Sequence, residues 1–150
     1  MSGRVGRHTR ILAFDPGATT GWCFYIISVD YKLWYMDCGQ IDIRPDCRAD
    51  REQLNWVFMH EANVVLMEDA VPKGAINAAK IRQIQSMAII EYEVSSPSRW
   101  LYVARIQPEE RKLHGHIPKE EMKHFKNMPH ARDAARLVYA WAVKNGVNIT

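Results

Sequence analysis

Two short apolar runs in this chain each end in a carboxylate: Ile11-Leu-Ala-Phe14 runs into Asp15, and Val64-Val-Leu-Met67 runs into Glu68. Both have the length and composition of core strands, over residues 10–15 and 63–68. The second is apolar on both faces, as a strand covered from two sides must be. An acid at the end of such a strand needs water, a partner or a cation, because an unpaired buried charge is costly.

The segments around these strands narrow the topology. Pro16-Gly17 and Thr20-Gly21 carry turn chemistry and lead into a second strand over residues 22–28. Residues 32–43 form a third, aromatic and β-branched strand, bounded by Asp30 and by Arg44-Pro45-Asp46. Three consecutive antiparallel strands are the simplest arrangement. Residues 49–61 place Leu54, Val57 and Phe58 at helical spacing before the strand at 63–68, which predicts a crossover into a parallel strand.

Residues 75–94 read as a long helix without internal Gly or Pro, and it carries two apolar stripes. Ile81, Ile84, Ala88 and Tyr92 form one; Ile76, Met87, Ile90 and Val94 form the other. One stripe can pack on the sheet, and the other needs a partner. A fifth strand spans residues 100–106. Residues 107–126 are a polar stretch with Gly115 and a short helix after Pro118. The last helix opens at Pro129, with Asn127 or Met128 as its cap, and Gly146 closes it. Its buried stripe is Ala134, Leu137, Val138 and Trp141, and His130 and Asp133 project to the same side. The expected fold is α/β, with a five-stranded mixed sheet of three antiparallel strands followed by two parallel ones, flanked by helices.

At 150 residues, with 47% hydrophobic and 25% charged residues, the chain fits one domain over residues 10–150, preceded by a basic extension over residues 1–9. It has no apolar stretch long enough to span a membrane and no apolar signal core, so a soluble, cytoplasmic protein is expected. Cys23, Cys38 and Cys47 lack zinc-site spacing and are expected to be reduced thiols, two of them buried. The net charge of +3 is unevenly spread, with Arg4, Arg7, His8 and Arg10 at one end. Arg99, Arg105, Arg111, Lys112, Lys119, Lys123 and Lys126 follow the middle, which is compatible with a polyanionic partner.

Asp15, Glu68 and Asp133 share one property: each ends or interrupts an element that should be buried. Singly, each has an ordinary explanation, as a turn acid, a strand end or an acid near a helix N-terminus. Jointly, carboxylates converging from two strands and a helix are what a pair of Mg²⁺ ions requires, since hard cations take oxygen ligands. His130 can reach the same place. Asp69 faces away if Glu68 faces the site, because successive strand residues alternate. Glu68 is preferred because it shares parity with Val64 and Leu66, but both faces of this strand are apolar and parity alone leaves Asp69 open.

These residues resemble the RuvC family of Holliday-junction resolvases, within the RNase H-like superfold. Asp15-Pro-Gly-Ala-Thr-Thr-Gly21 is similar to the family's opening acidic motif, Val64 to Glu68 to its second acidic strand, and His130-Ala-Arg-Asp133-Ala134 to the start of its last helix. The stretch from Arg111 to Lys119 is similar to the family's basic, Gly-containing segment. The resemblance implies a metal-dependent endonuclease that resolves four-way DNA junctions as a homodimer. Its cofactor would be two Mg²⁺ ions, with Mn²⁺ as a substitute, held by Asp15, Glu68, His130 and Asp133. Arg111, Lys112, Lys119 and Lys73 would contact DNA, and the second stripe of the long helix would be the dimer face.

One departure concerns the substrate. Where the family usually carries an aromatic wedge, three positions after the second acid, this chain has Val71-Pro72. The basic extension and the long aromatic third strand suit a divergent, phage-type member. Two rivals follow: a nuclease of the same fold acting on other branched or RNA-containing substrates, and a nucleic-acid- or ATP-binding relative without catalysis. The Asp15-Pro-Gly-Ala-Thr19 phosphate-loop likeness motivates the ATP-binding form, although that superfamily needs two such domains.

Overall fold

The computed structural model describes residues 8–69, 77–95 and 102–149. Lys73, the Val71-Pro72 departure, Ile76, Arg99 and the basic residues Arg4 and Arg7 lie outside the described residues. The elements run β1 (Thr9–Asp15), β2 (Thr19–Ile27), β3 (Leu33–Asp42), α1 (Arg48–Phe58), β4 (Val64–Glu68), α2 (Ala78–Val94), β5 (Tyr102–Ile106), α3 (Pro108–His114), a 3₁₀ segment (Lys119–Phe125) and α4 (Pro129–Lys144).

The five strands form one sheet in the order β3-β2-β1-β4-β5. β1 pairs antiparallel with β2, and β2 with β3, while β4 lies parallel to both β1 and β5. Three antiparallel strands followed by two parallel ones is the expected arrangement. The two acid-ending strands are therefore neighbours at the centre of the sheet. They run in the same direction, so Asp15 and Glu68 emerge at the same edge.

Strand parity divides the core into two layers. Ile11, Ala13, Val64 and Leu66 pack with α4 through Ala131, Ala134, Leu137 and Val138. Leu12, Phe14, Val65 and Met67 pack on the other face with Leu54, Val57 and Phe58 of α1 and with Ile89, Ile90 and Val94 of α2. Asp15 continues the parity of Ile11 and Ala13, and Glu68 that of Val64 and Leu66. Both carboxylates thus face α4.

Several boundaries differ from the sequence reading, each for a physical reason. β2 begins at Thr19, not Trp22, so Thr20 and Gly21 are strand residues and not a turn. Gly21 is paired with Asp15 on one side and Gln40 on the other. It is glycine because α4 crosses there: a Cβ would lie 2.0 Å from the backbone C and O of His130. The stretch after β5 contains a helix, α3, with Pro108 in its first turn and Glu109 and Glu110 favouring its N-terminus. Its seven residues bury none of their own, so no apolar period announces it.

On α2, Asn77 caps the helix by accepting from the Lys80 N–H. Met87, Ile90 and Val94 are buried, as one stripe requires, together with Ile89 and Ser86. Ile81, Ile84, Ala88 and Tyr92 are all exposed, so the second stripe is uncovered on this chain. The three cysteines are free thiols, and only Cys23 is buried where two were expected; Cys38 and Cys47 sit at the partly solvated β3 and its exit loop. Among the described residues, no helix is long and apolar enough to cross a membrane.

Candidate active site

The C-terminal ends of β1 and β4 and the first turns of α4 meet at one edge of the sheet. β1 delivers Asp15, whose side chain is 19% exposed. α4 delivers His130, whose Nδ1 lies 3.4 Å from Asp15 Oδ2. Two contacts hold the helix start in that position: the Gly21 contact surface, and the His130 backbone N–H donating to Gln40 Oε1 on β3 at 2.9 Å. Gln40 is a positioning residue that sequence reasoning missed, because an amide on a partly exposed strand has no distinctive pattern. Behind the site, Ser86 of α2 donates to the Gly17 carbonyl at 2.7 Å and fixes the β1–β2 turn.

The acids sense one another. The Asp15 carboxyl is pushed up to about 6, first by burial and then by the negative charge of Asp133, with a smaller push from Glu68; His130 pulls in the opposite direction. Burial also raises Glu68, and Asp133 adds to that rise, while Arg111, Arg136 and Lys112 oppose it. Burial is thus the first cause of the rise at both acids.

Glu68 meets Arg111, a residue expected at DNA. Arg111 Nε lies 2.9 Å from Glu68 Oε2, with the side chains 20% and 15% exposed. The N–H is not aligned on the oxygen, so both buried atoms remain without a hydrogen-bond partner. Asp133 is flanked more loosely by Arg132 at 3.8 Å and by Arg136 at 3.7 Å. With arginines at two of the three acids, no three His, Cys, Asp or Glu among the described residues converge closely enough to hold an ion as they stand.

The donor set nevertheless fits hard divalent cations. It consists of carboxylate oxygens and one imidazole, and it leaves a buried Glu68 oxygen unsatisfied beside an Asp15 whose ionisation its neighbours oppose. A bound cation would favour the ionised form of Asp15. Asp69 has other partners. It accepts from Gln107 Nε2 at 2.8 Å and pairs with Arg105 at 3.8 Å, and Arg105 also pairs with Glu91 of α2. Lys112 and Lys119 are exposed, Lys112 close enough to Glu68 to influence its charge.

No family model matches the sequence, and no curated protein matches it. Solved structures do. The fold is similar to that of Thermus thermophilus RuvC in complex with a Holliday junction substrate, with a TM-score of 0.67 and 13% identity, covering 91% of this chain and 95% of that one. The yeast mitochondrial Holliday junction resolvase Ydc2 matches with a TM-score of 0.64 and 13% identity, over 89% of this chain and 78% of that one. The fowlpox virus Holliday junction resolvase matches with a TM-score of 0.60 and 8% identity, over 90% and 99%. The chain therefore has the RNase H-like fold of these resolvases, aligned over nearly its whole length.

Proposed function

We propose that this protein is a metal-dependent endonuclease that resolves branched DNA, with the four-way junction as its preferred substrate and Mg²⁺ or Mn²⁺ as its cofactor. The observation that carries this reading is the group of half-buried carboxylates at the β1, β4 and α4 ends, in which Asp133 and Glu68 oppose the ionisation of Asp15. That cluster sits in a fold shared with Holliday-junction resolvases. Two divalent cations, when bound, would polarise the scissile phosphate and lower the pKa of the attacking water.

The chain's own residues supply the rest. Asp15, Glu68 and Asp133 would hold the ions through their carboxylate oxygens. His130 turns Nδ1 toward Asp15, which leaves Nε2 to ligate or to hold a proton at the reacting edge. Lys112 and Lys119, both exposed, would contact phosphates, as would Lys73. The attack of water at phosphorus and the departure of the 3′ oxygen would leave 5′-phosphate ends.

The test is a panel of end-labelled four-way junction, flap, duplex and RNA–DNA hybrid, each with Mg²⁺ or with EDTA. Junction cleavage that requires the metal supports the reading. Preferential cutting of flap or hybrid would instead favour a related nuclease with another substrate, which the Val71-Pro72 departure motivates.

Arg111 acts in this scheme as the counter-charge of the metal-free site. Arg111→Gln should tighten Mn²⁺ binding about tenfold, since a competing opposite charge beside a carboxylate is worth one or more pKa units. Calorimetric titration checks this, and unchanged or weaker binding would exclude competition. The exposed stripe Ile81, Ile84, Ala88 and Tyr92 would be the homodimer face. Light scattering at micromolar concentration should show a dimer that Ile84→Glu splits; a monomeric parent protein would refute the assignment.

A further inference from the structure

α4 and the segment after α3 form an open hollow of about 270 Å³ lined by Gly115, His116, Ile117, Met122, Arg132 and Arg136. Its charge is one-sided: two arginines and a histidine, with no carboxylate among the lining residues. Arg132 and Arg136 stand four residues apart on α4 and so project from one face, one turn apart. We infer that this hollow is a second phosphate seat, built by Arg132 and Arg136, that receives the DNA backbone next to the scissile position. The inference rests on the endonuclease reading given above.

Three observations support it. First, the donors are largely unused. Among the described residues, Arg132 makes no side-chain hydrogen bond, and its 3.8 Å approach to Asp133 is too long for one. Arg136 spends only its Nε, which donates to the Gly115 carbonyl at 3.2 Å. Its Nη1 stands 3.7 Å from Asp133. Guanidinium forks with free donors match phosphate oxygens in geometry as well as charge.

Second, the seat is rigid. Gly115 is buried and admits no Cβ, which would fall 2.5 Å from the Arg111 carbonyl and 2.7 Å from that of Arg136. The end of α3 is thus pressed onto α4, and the bond from Arg136 Nε fixes one fork against this wall. The remaining lining, Ile117 and Met122, is apolar and leaves the arginines as the principal charged recognition groups.

Third, the placement suits one strand of nucleic acid. Arg132 and Asp133 are consecutive, and Arg136 reaches back toward the same carboxylate. A strand whose scissile phosphate lies at the acids passes the hollow with an adjoining phosphate. This seat is distinct from Lys112 and Lys119, which lie outside the lining set. Backbone contact carries no sequence information, so the seat would position the strand without selecting bases.

Anisotropy of a labelled four-way junction and of a matched duplex, titrated with the full chain in EDTA between about 50 and 200 mM salt, tests the proposal. The double variant Arg132→Gln/Arg136→Gln should bind both DNAs at least tenfold more weakly at the lowest salt. The slope of log affinity against log salt should fall by about two, one per lost phosphate contact. Arg132→Lys/Arg136→Lys should restore the slope, which a purely structural role for Arg136 would not predict. An unchanged slope in the glutamine variant, with or without weaker binding, would overturn the seat while leaving the endonuclease reading intact. Failure of the unmodified protein to bind either DNA would overturn both.

Discussion

Asp15→Asn should abolish metal-dependent DNA cleavage and at the same time make the metal-free protein more stable. Both effects come from one carboxylate. The folded Asp15 carboxyl titrates near 6, against 3.8 for an unperturbed aspartate, chiefly because it is buried and secondly because Asp133 is near. The folded state therefore binds the proton more tightly than the unfolded state. Between about pH 4 and pH 6 stability falls as pH rises, and above pH 6 the full penalty applies, about 2 to 3 kcal/mol. Asparagine carries no charge and removes that penalty.

Thermal melting in EDTA at pH 7.5 should show the variant above the parent protein, and the difference should vanish near pH 4. In Mg²⁺ the order should reverse or close, because only the parent would gain from binding the cation. Cleavage should fall by at least about a thousand-fold, given the several kcal/mol that metal charge stabilisation contributes. Retained Mg²⁺-dependent cleavage would remove Asp15 from the site, and a variant that melts lower in EDTA at neutral pH would refute the electrostatic account.

Gly21→Ala should cost more stability than any other single methyl added to this chain's strands. Its Cβ would lie 2.0 Å from His130 C and O and 2.4 Å from the Ala131 nitrogen. These are backbone atoms, and no rotamer change can relieve the clash, so α4 must move away from the sheet. Overpacking typically costs about 1 to 3 kcal/mol and more when the backbone must shift, so a loss of about 3 kcal/mol or more is expected. Cleavage should fall even at temperatures where the variant is folded, because the displaced helix carries both His130 and Asp133. Urea denaturation monitored by circular dichroism, paired with the cleavage assay, separates the two effects. An alanine variant as stable as the parent would show that α4 does not bear on Gly21.

Much of this architecture is legible in the residues. The two apolar runs ending in Asp15 and Glu68 announce their strands because a doubly covered strand has no polar alternation to confuse it. The parity of Glu68 with Val64 and Leu66 is legible too, since parity follows from the pleat and not from tertiary detail. The paired stripes on residues 75–94 are also legible, and one of them is indeed left uncovered. α3 escaped because seven residues with no buried side chain have no period to read. Gly21 reads as turn chemistry because a glycine required by close approach and a glycine required by a turn look alike in sequence.

Sequence alone determined the order and sense of the strands and which acids end or interrupt buried elements, because apolar periodicity and burial cost act locally along the chain. Only the tertiary structure decided what surrounds those acids. Arg111 faces Glu68 because α3 is pressed onto α4 at Gly115, whereas Arg132 and Arg136 flank Asp133 through their spacing on α4 itself. Charge interactions depend on distance in space. Residues far apart in the chain, such as Glu68 and Arg111, become partners only after the sheet and α4 have set that distance.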